Sequence, residues 1–239
     1  MTDFFQLFQP GLRHWKEQQD LDKVLVVTND EGAPGPRPLD LDSGSVVLRV
    51  SRPAGGPAYD ATMEPLAPVP DTRDWTSVLH QPCPECGFDA AALDPADLGR
   101  LTADLTAPWA VVLVRPDVAV RPAPQVWSPL EYGCHVRDVL LVFGQRLGQL
   151  LTEPRPRFPN WDQDATAIAE RYWEADPAEV ADRISTAAGH LAALWPKVRP
   201  EEWQRTGTRS DGTEFTVASL GGYLVHELRH HLRDVGVTA

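Results

Sequence analysis

The sequence has few basic residues, no long apolar run and no leader-like start. Its 22 Lys and Arg stand against 34 Asp and Glu, a net charge of −12. No block of basic residues occurs, and a nucleic-acid partner is disfavoured because phosphate binding needs clustered positive charge. No apolar run approaches the about 20 residues that cross a bilayer. The first residues lack the basic segment and apolar stretch of a secretory signal.

Cysteine is equally scarce. The chain has three cysteines, of which Cys83 and Cys86 form a Cys-x-x-Cys pair. Three thiols do not make the disulfide framework of a secreted domain, and in a reducing compartment such a pair more often binds metal or is redox-active. We therefore expect a cytoplasmic protein.

The chain divides by composition into two parts. Residues 1–79 are rich in Pro and Gly and contain two β-like runs, Val24–Thr28 and Ser45–Val50, separated by turn residues. This pattern predicts a small N-terminal extension with a β-hairpin, and residues 55–70 resemble a linker. Residues 80–239 form the second predicted domain.

From about residue 94 the pattern becomes helical, which predicts an all-α domain. Capping residues and apolar stripes predict four amphipathic helices that begin near Asp94, Ser128, Pro177 and Thr216. Pro108 should interrupt the first of them. The long connection 152–175 should contain one short helix. Four such helices predict a four-helix bundle with one crossover.

Three histidines are the strongest functional signal. His226 and His230 are four residues apart, so both rings project from one helix face, and His135 lies on another predicted helix. Three neutral imidazoles with an open position are typical of a catalytic zinc-type site. The alternatives are unrelated histidines, or an H-E-x-x-H peptidase motif with Glu227 as base, in which Arg229 is atypical.

The thiols suggest a second, structural zinc site. Cys83, Cys86 and Cys134 supply three ligands, and His80 or His231 would supply the fourth. Redox-active or simply buried thiols are equally compatible with this pattern. His231 is rotated about 100° from His230 and is interpreted as a helix-face residue.

The loop Phe158–Asp164 concentrates aromatic, amide and acidic side chains. Such loops often line a pocket, and we expect Trp161 and Asp164 to bind a cofactor or substrate. The alternative is a helix N-cap at Asp164 with Trp161 as a packing residue. Arg209, in a polar turn before the last helix, could contact an anionic ligand group.

Together, residues 127–139, 158–164 and 226–235, with Cys83–Asp89, resemble the DinB-like superfamily, in an actinobacterial branch related to mycothiol-dependent maleylpyruvate isomerase and small-thiol S-transferases. The resemblance implies a four-helix bundle that binds a divalent metal, zinc first and nickel as the alternative, through His135, His226 and His230. The first fifty residues weakly resemble a short uncharacterised actinobacterial domain.

The resemblance implies a metal-dependent enzyme that activates a small thiol of the mycothiol type, or water, for attack on an electrophilic small molecule. The thiol-transferase relatives do not need the cysteine set, which is a departure here. The alternative is a non-catalytic metal- or small-molecule-binding bundle that acts as a scaffold or sensor. A homodimer is also expected, because bundles of this size often pair through an exposed face.

Overall fold

The structure, a computed structural model, describes residues 73–238. The chain divides into two units, residues 1–64 and residues 65–239, and the described residues belong to the second. The predicted hairpin strands Val24–Thr28 and Ser45–Val50 and the linker lie outside the described residues. The proposed boundary between residues 79 and 80 therefore stays a prediction.

Six α-helices occur in the described part of the chain. They are α1 Leu98–Thr106, α2 Trp109–Val112, α3 Pro129–Thr152, α4 Gln163–Ala169, α5 Pro177–Ala192 and α6 Val217–Asp234. Short 3-10 helices precede α1 at Trp75–Leu79, Ala90–Ala92 and Pro95–Asp97, and others lie between the later helices at Tyr172–Glu174, Trp195–Lys197 and Pro200–Glu202. Within residues 73–238 no helix has the length and hydropathy that a membrane crossing requires.

The helix starts are encoded locally. Ser128 and Glu131 form a reciprocal capping box at the start of α3, with Pro129 in the first helical position. Thr216 caps α6 through the backbone N–H of Ser219. The predicted interruption at Pro108 is also present, because α1 ends at Thr106 and a separate turn of helix follows.

Four helices close into a bundle. The long helix α3 packs against α5 and α6, and α1 packs against the same two helices from the other side. An added Cβ at Gly221 of α6 would collide with the side chain of Leu98, so the close approach of α1 and α6 favours glycine there. The four-helix-bundle fold class is thus confirmed.

A small sheet, which the sequence analysis did not predict, covers one end of the bundle. Its strands are β1 Arg157–Phe158, β2 Thr206–Arg209 and β3 Glu214–Thr216. β1 pairs in parallel with β2, and β2 pairs antiparallel with β3. Phe158 of β1 and Phe215 of β3 are buried. The region that looked like a polar turn is therefore a hairpin that leads directly into α6.

One buried ion pair at the start of α3 should contribute strongly to stability. Arg121 donates to the carboxylate of Glu131, whose side chain is 1% exposed. In Arg121→Met the carboxylate loses its charged partner, and we expect the free energy of unfolding to fall by about 3 kcal/mol. Urea denaturation measures this. The exposed pair of Arg100 and Asp97 provides the control, since Arg100→Met should cost less than about 1 kcal/mol. Equal effects of the two substitutions would contradict the assignment.

Candidate metal centres

Helix α6 carries four residues that could ligate a metal within two turns. His226 and His230 are four residues apart, and so are Glu227 and His231. Consecutive residues on an α-helix differ by about 100° in direction, so the two pairs face different neighbours. As a result, the structure assembles two separate clusters of metal-ligating atoms.

The first cluster, called here the histidine–carboxylate centre, consists of His135 from α3 with Glu227 and His231 from α6. One potential ligand atom from each of the three residues lies within 4.8 Å of the others. Glu227 Oε2 is 3.5 Å from His135 Nε2 and 3.3 Å from His231 Nε2. Two imidazoles, one from α3 and one from α6, therefore converge on one carboxylate of α6.

His135 is the most deeply buried member of this centre. Its side chain is 0% exposed, and neither ring nitrogen has a hydrogen-bond partner among the described residues. Trp161 stacks on the ring at a centroid distance of 5.3 Å with an interplanar angle of 5°. Burial lowers the pKa of His135, so the ring is neutral and its nitrogen lone pair is available to a metal.

The other two members form an ion pair. His231 Nδ1 lies 2.9 Å from Asp234 Oδ2. Burial lowers the pKa of His231, but the contacts with Asp234 and Glu227 outweigh it and raise the pKa to about 9. Burial alone would raise the pKa of Glu227, whereas contacts with the rings of His135, His226 and His231 lower it well below its ordinary value. The centre thus holds a carboxylate anion.

The second cluster, called here the thiol–imidazole cluster, consists of Cys83, Cys86, His226 and His230. Its four ligand atoms also lie within 4.8 Å of one another. Cys83 Sγ is 3.7 Å from His230 Nδ1. Burial raises the pKa of the Cys83 thiol, but backbone hydrogen bonds from Cys86 and Glu85 and the nearby ring of His226 bring the pKa below its ordinary value.

Both clusters border one cavity of about 420 Å³. Its wall includes His226 and His230 of one cluster and Glu227 and His231 of the other, together with Asp164. A smaller cavity of about 60 Å³ is also lined by Glu227, together with Trp161 and Arg209 among others. A small molecule in the larger cavity would lie beside donors from both clusters.

The three histidines predicted as one metal site fall into different clusters. His226 and His230 face the cysteines, whereas His135 meets Glu227 and His231. The physical reason is the rotation of α6 about its axis, which turns the second pair, not the first, toward α3. The ligand set is revised accordingly.

The predicted zinc set of Cys83, Cys86 and Cys134 also needs correction. Cys134 Sγ lies 3.8 Å from the carbonyl oxygen of Tyr172, in the bundle core, and is not part of the cluster. Burial raises its pKa to about 12, which disfavours a thiolate ligand. Neither candidate for the fourth ligand, exposed His80 or His231, belongs to the cluster; His226 and His230 occupy those positions.

The three residues expected to bind a cofactor lie around the histidine–carboxylate centre. Trp161 packs on His135 and donates from Nε1 to Thr166 Oγ1 at 2.8 Å. Asp164 lies in the first turn of α4, but the N-cap of that helix is Asp162. Arg209 pairs with Asp211 at 2.7 Å. Their part in ligand binding stays a prediction.

Sequence reasoning missed Glu227 as a potential ligand, and it considered His231 only as a fourth ligand of the cysteine site, not as a partner of His135. The signal was present, because Glu227-x-x-x-His231 has the same spacing as His226-x-x-x-His230, and carboxylates are common metal ligands. Trp75 was also missed: it lies outside the predicted bundle domain, yet its ring is 4.7 Å from that of His230.

Comparison with known proteins gives two family matches and one match among solved structures. Residues 116–235 match the DinB superfamily, and residues 7–48 match a family of unknown function (DUF6191). Among solved structures, YfiT from Bacillus subtilis, described as a probable metal-dependent hydrolase with an unusual four-helix bundle topology, is 18% identical with a TM-score of 0.53. The match covers 59% of this chain and 85% of YfiT. No curated protein matches the chain.

Proposed function

The chain belongs to the DinB superfamily, and we propose that it is a metal-dependent enzyme whose histidine–carboxylate centre activates a small nucleophile for attack on an electrophilic small molecule. The ion would be held by His135, Glu227 and His231. The similarity in fold to YfiT supports this direction, because that bundle is described as a probable metal-dependent hydrolase.

One observation carries the proposal: the buried ring of His135 has no hydrogen-bond partner among the described residues, although it lies against a carboxylate and a second imidazole. Leaving a buried polar group unsatisfied costs about 1–3 kcal/mol. A divalent ion between the three residues would satisfy that nitrogen and neutralise the Glu227 carboxylate. The residues present therefore fit a metal.

The supporting side chains orient these ligands. Asp234 contacts His231 at Nδ1 and so leaves Nε2 directed toward Glu227. A carboxylate that binds the second nitrogen of a ligating histidine fixes its tautomer and ring orientation. Trp161 covers one face of His135 and restricts rotation of that ring. These contacts arrange the three donors before any ligand binds.

Three protein donors leave coordination positions open for a nucleophile, as in catalytic rather than structural sites. A divalent ion supplies Lewis acidity and lowers the pKa of a water or thiol bound to it. The cavity of about 420 Å³ beside Glu227 and His231 provides room for the nucleophile and the electrophile. A mycothiol-type thiol and water are the two candidate nucleophiles, zinc is the first candidate ion and nickel the second.

The test uses full-length protein purified without a nickel column. Metal content is measured first, and turnover of activated esters without thiol and of aryl halides with added thiols is then compared. We expect the His231→Gln variant to lose one ion and the turnover. His190→Gln, at an exposed position of α5, is the matched control and should change neither.

Each outcome decides between the candidates. Thiol-dependent turnover supports the transferase, and thiol-independent ester turnover supports the hydrolase. A metal-loaded protein that turns over neither substrate class, and whose melting temperature does not change with added thiols, points to the non-catalytic scaffold or sensor. Identical metal content and turnover in the wild type and His231→Gln would contradict the assigned centre.

A further inference from the structure

The thiol–imidazole cluster has the form of a second, closed metal site. Its loop is shaped by two backbone hydrogen bonds, from Cys83 N to Phe88 O at 2.8 Å and from Gly87 N to Cys83 O at 2.9 Å. Gly87 adopts a φ of +69°, a left-handed conformation that suits glycine. This tight turn brings both sulfur atoms to the side of the loop that faces α6.

The helix supplies the other two donors. The rings of His226 and His230 are 5.1 Å apart on one face of α6, and both side chains are buried. Among the described residues, neither ring nitrogen of His226 has a hydrogen-bond partner, although this side chain is only 1% exposed. An unpartnered polar side chain at this depth, aimed at two thiols, points to a ligand.

The spacing of the four donors fits a tetrahedral ion. With Zn–S bonds of about 2.3 Å and Zn–N bonds of about 2.0–2.1 Å, neighbouring ligand atoms lie about 3.3–3.8 Å apart. The 3.7 Å between Cys83 Sγ and His230 Nδ1 lies inside this range, and all four atoms lie within 4.8 Å of one another. Only small side-chain movements would be needed.

Charge balance also favours a divalent ion of the zinc type. Two thiolates and two neutral imidazoles carry a charge of −2, which neutralises one divalent cation and permits burial. Sulfur and imidazole donors select zinc-like ions over calcium or magnesium. All three cysteines are free of disulfide bonds, so the Cys83 and Cys86 sulfurs are both available as ligands.

From these observations we infer that Cys83, Cys86, His226 and His230 bind a structural Zn²⁺ that attaches the 83–88 loop to α6. Four protein ligands complete the coordination, so this ion has no open position for a substrate. His226 and His230 alternate along α6 with Glu227 and His231 of the histidine–carboxylate centre. The structural ion therefore holds the cavity wall next to the proposed catalytic ligands.

The experiment replaces bound metal in the full-length protein with Co²⁺ and records its absorption spectrum, alongside metal analysis of the zinc form. We expect about two ions per chain and an intense near-ultraviolet thiolate-to-cobalt band. Cys83→Ser should lower the content to about one ion and remove most of the band. Cys134→Ala, the matched cysteine control, should keep both ions and the band.

The wild type alone provides a second measurement in case Cys83→Ser does not fold. A thiol-binding mercurial should release one of the two zinc ions, detected with a colorimetric zinc indicator. The inference is overturned by a content of one ion that the mercurial leaves bound, by a Cys83–Cys86 disulfide in the isolated protein, or by loss of the band in Cys134→Ala.

Failure of this site and failure of the proposed enzyme can be told apart. His135→Gln removes a ligand of the histidine–carboxylate centre only, and we expect it to keep the thiolate-to-cobalt band while losing the other ion. If the protein shows no turnover with any substrate, the band and the ion count still report on the cysteine site. If the band is absent from an active wild-type enzyme, only the structural-zinc inference fails.

Discussion

Glu227→Gln is expected to remove the ion from the histidine–carboxylate centre and to lower turnover by more than about 100-fold. Substitution of residues that merely orient a metal ligand costs about 10–100-fold, and a direct ligand should cost more. The side chain of Glu227 lies within 3.5 Å of both His135 and His231, so no other carboxylate of the described residues is as well placed. Metal analysis and steady-state kinetics measure the two effects.

The outcome separates two roles for the same carboxylate. A glutamine has nearly the same shape as glutamate but lacks its charge, so an ion that Glu227 ligates should dissociate. If Glu227 acts instead as a general base, as in an H-E-x-x-H peptidase, the ion should stay while turnover falls. Glu179→Gln, on the exposed face of α5 with a side chain 61% exposed, is the control and should change neither quantity.

Full metal content together with full turnover in Glu227→Gln would contradict both roles. The cobalt spectrum of the thiol–imidazole cluster provides an internal check, because Cys83 and Cys86 do not contact the substituted side chain within the described interactions. A preserved band shows that α6 is still folded and still faces the 83–88 loop. Loss of the band would indicate that the substitution disturbed the thiol–imidazole cluster, whose His226 contacts Glu227.

The bundle was predictable because short local segments of the sequence determine where its helices begin and end. Ser128, Pro129 and Glu131 fix the start of α3 through local hydrogen bonds and a restricted backbone, whatever the rest of the chain does. The three-stranded sheet was not predictable in the same way. β1 has two residues and pairs with β2 about fifty residues later, so no local periodicity indicates it.

The spacing of residues on α6 predicts which of them share a face, but it does not predict which face contacts α3. Spacing establishes that residues 226 and 230 share one face of α6 and that residues 227 and 231 share another. It does not establish which face meets α3, because that depends on how the buried leucines of α6 pack into the bundle. Leu224 and Leu228, both 0% exposed, fix the rotation that turns Glu227 and His231 toward His135.

The cysteines also show that the sequence does not predict which distant residues complete a ligand set. The Cys83-x-x-Cys86 spacing predicts a ligand pair, but Cys83 and its partner His230 are 147 residues apart in sequence. Cys134 was chosen from composition alone, and only tertiary packing reveals that it lies in the core beside Tyr172. The sequence therefore predicted two members of the cluster, Cys83 and Cys86, but not the two histidines that lie beside them.

Removal of both ions should lower the stability of the bundle substantially. A ligand that binds only the folded state stabilises it by about 4 kcal/mol when its free concentration is a thousand times its dissociation constant. Without metal, the ring nitrogens of His135 and His226 remain buried and unsatisfied within the described structure. We expect chelation to shift the urea midpoint of the full-length protein downward and added zinc to restore it.

The dependence of stability on free zinc also counts the ions. Above the dissociation constants, each tenfold increase in free zinc adds about 1.4 kcal/mol to the free energy of unfolding for each bound ion. The wild type should therefore show a slope of about 2.8 kcal/mol, twice the single-ion value. This slope is measured by urea denaturation in zinc buffers, with circular dichroism reporting the helices.

Matched variants show how much each of the two sites contributes to this slope. His135→Gln and Cys83→Ser each remove a ligand from one site, and each should halve the slope, whereas the variant that combines them should show none. His190→Gln, at an exposed position on α5, should keep the wild-type slope. If the wild type shows a single-ion slope, only one of the two sites binds zinc. The site that does not bind zinc is then the one whose variant leaves the slope unchanged. Because the slope depends on the number of ions and not on their affinities, it tests both sites without knowledge of the substrate.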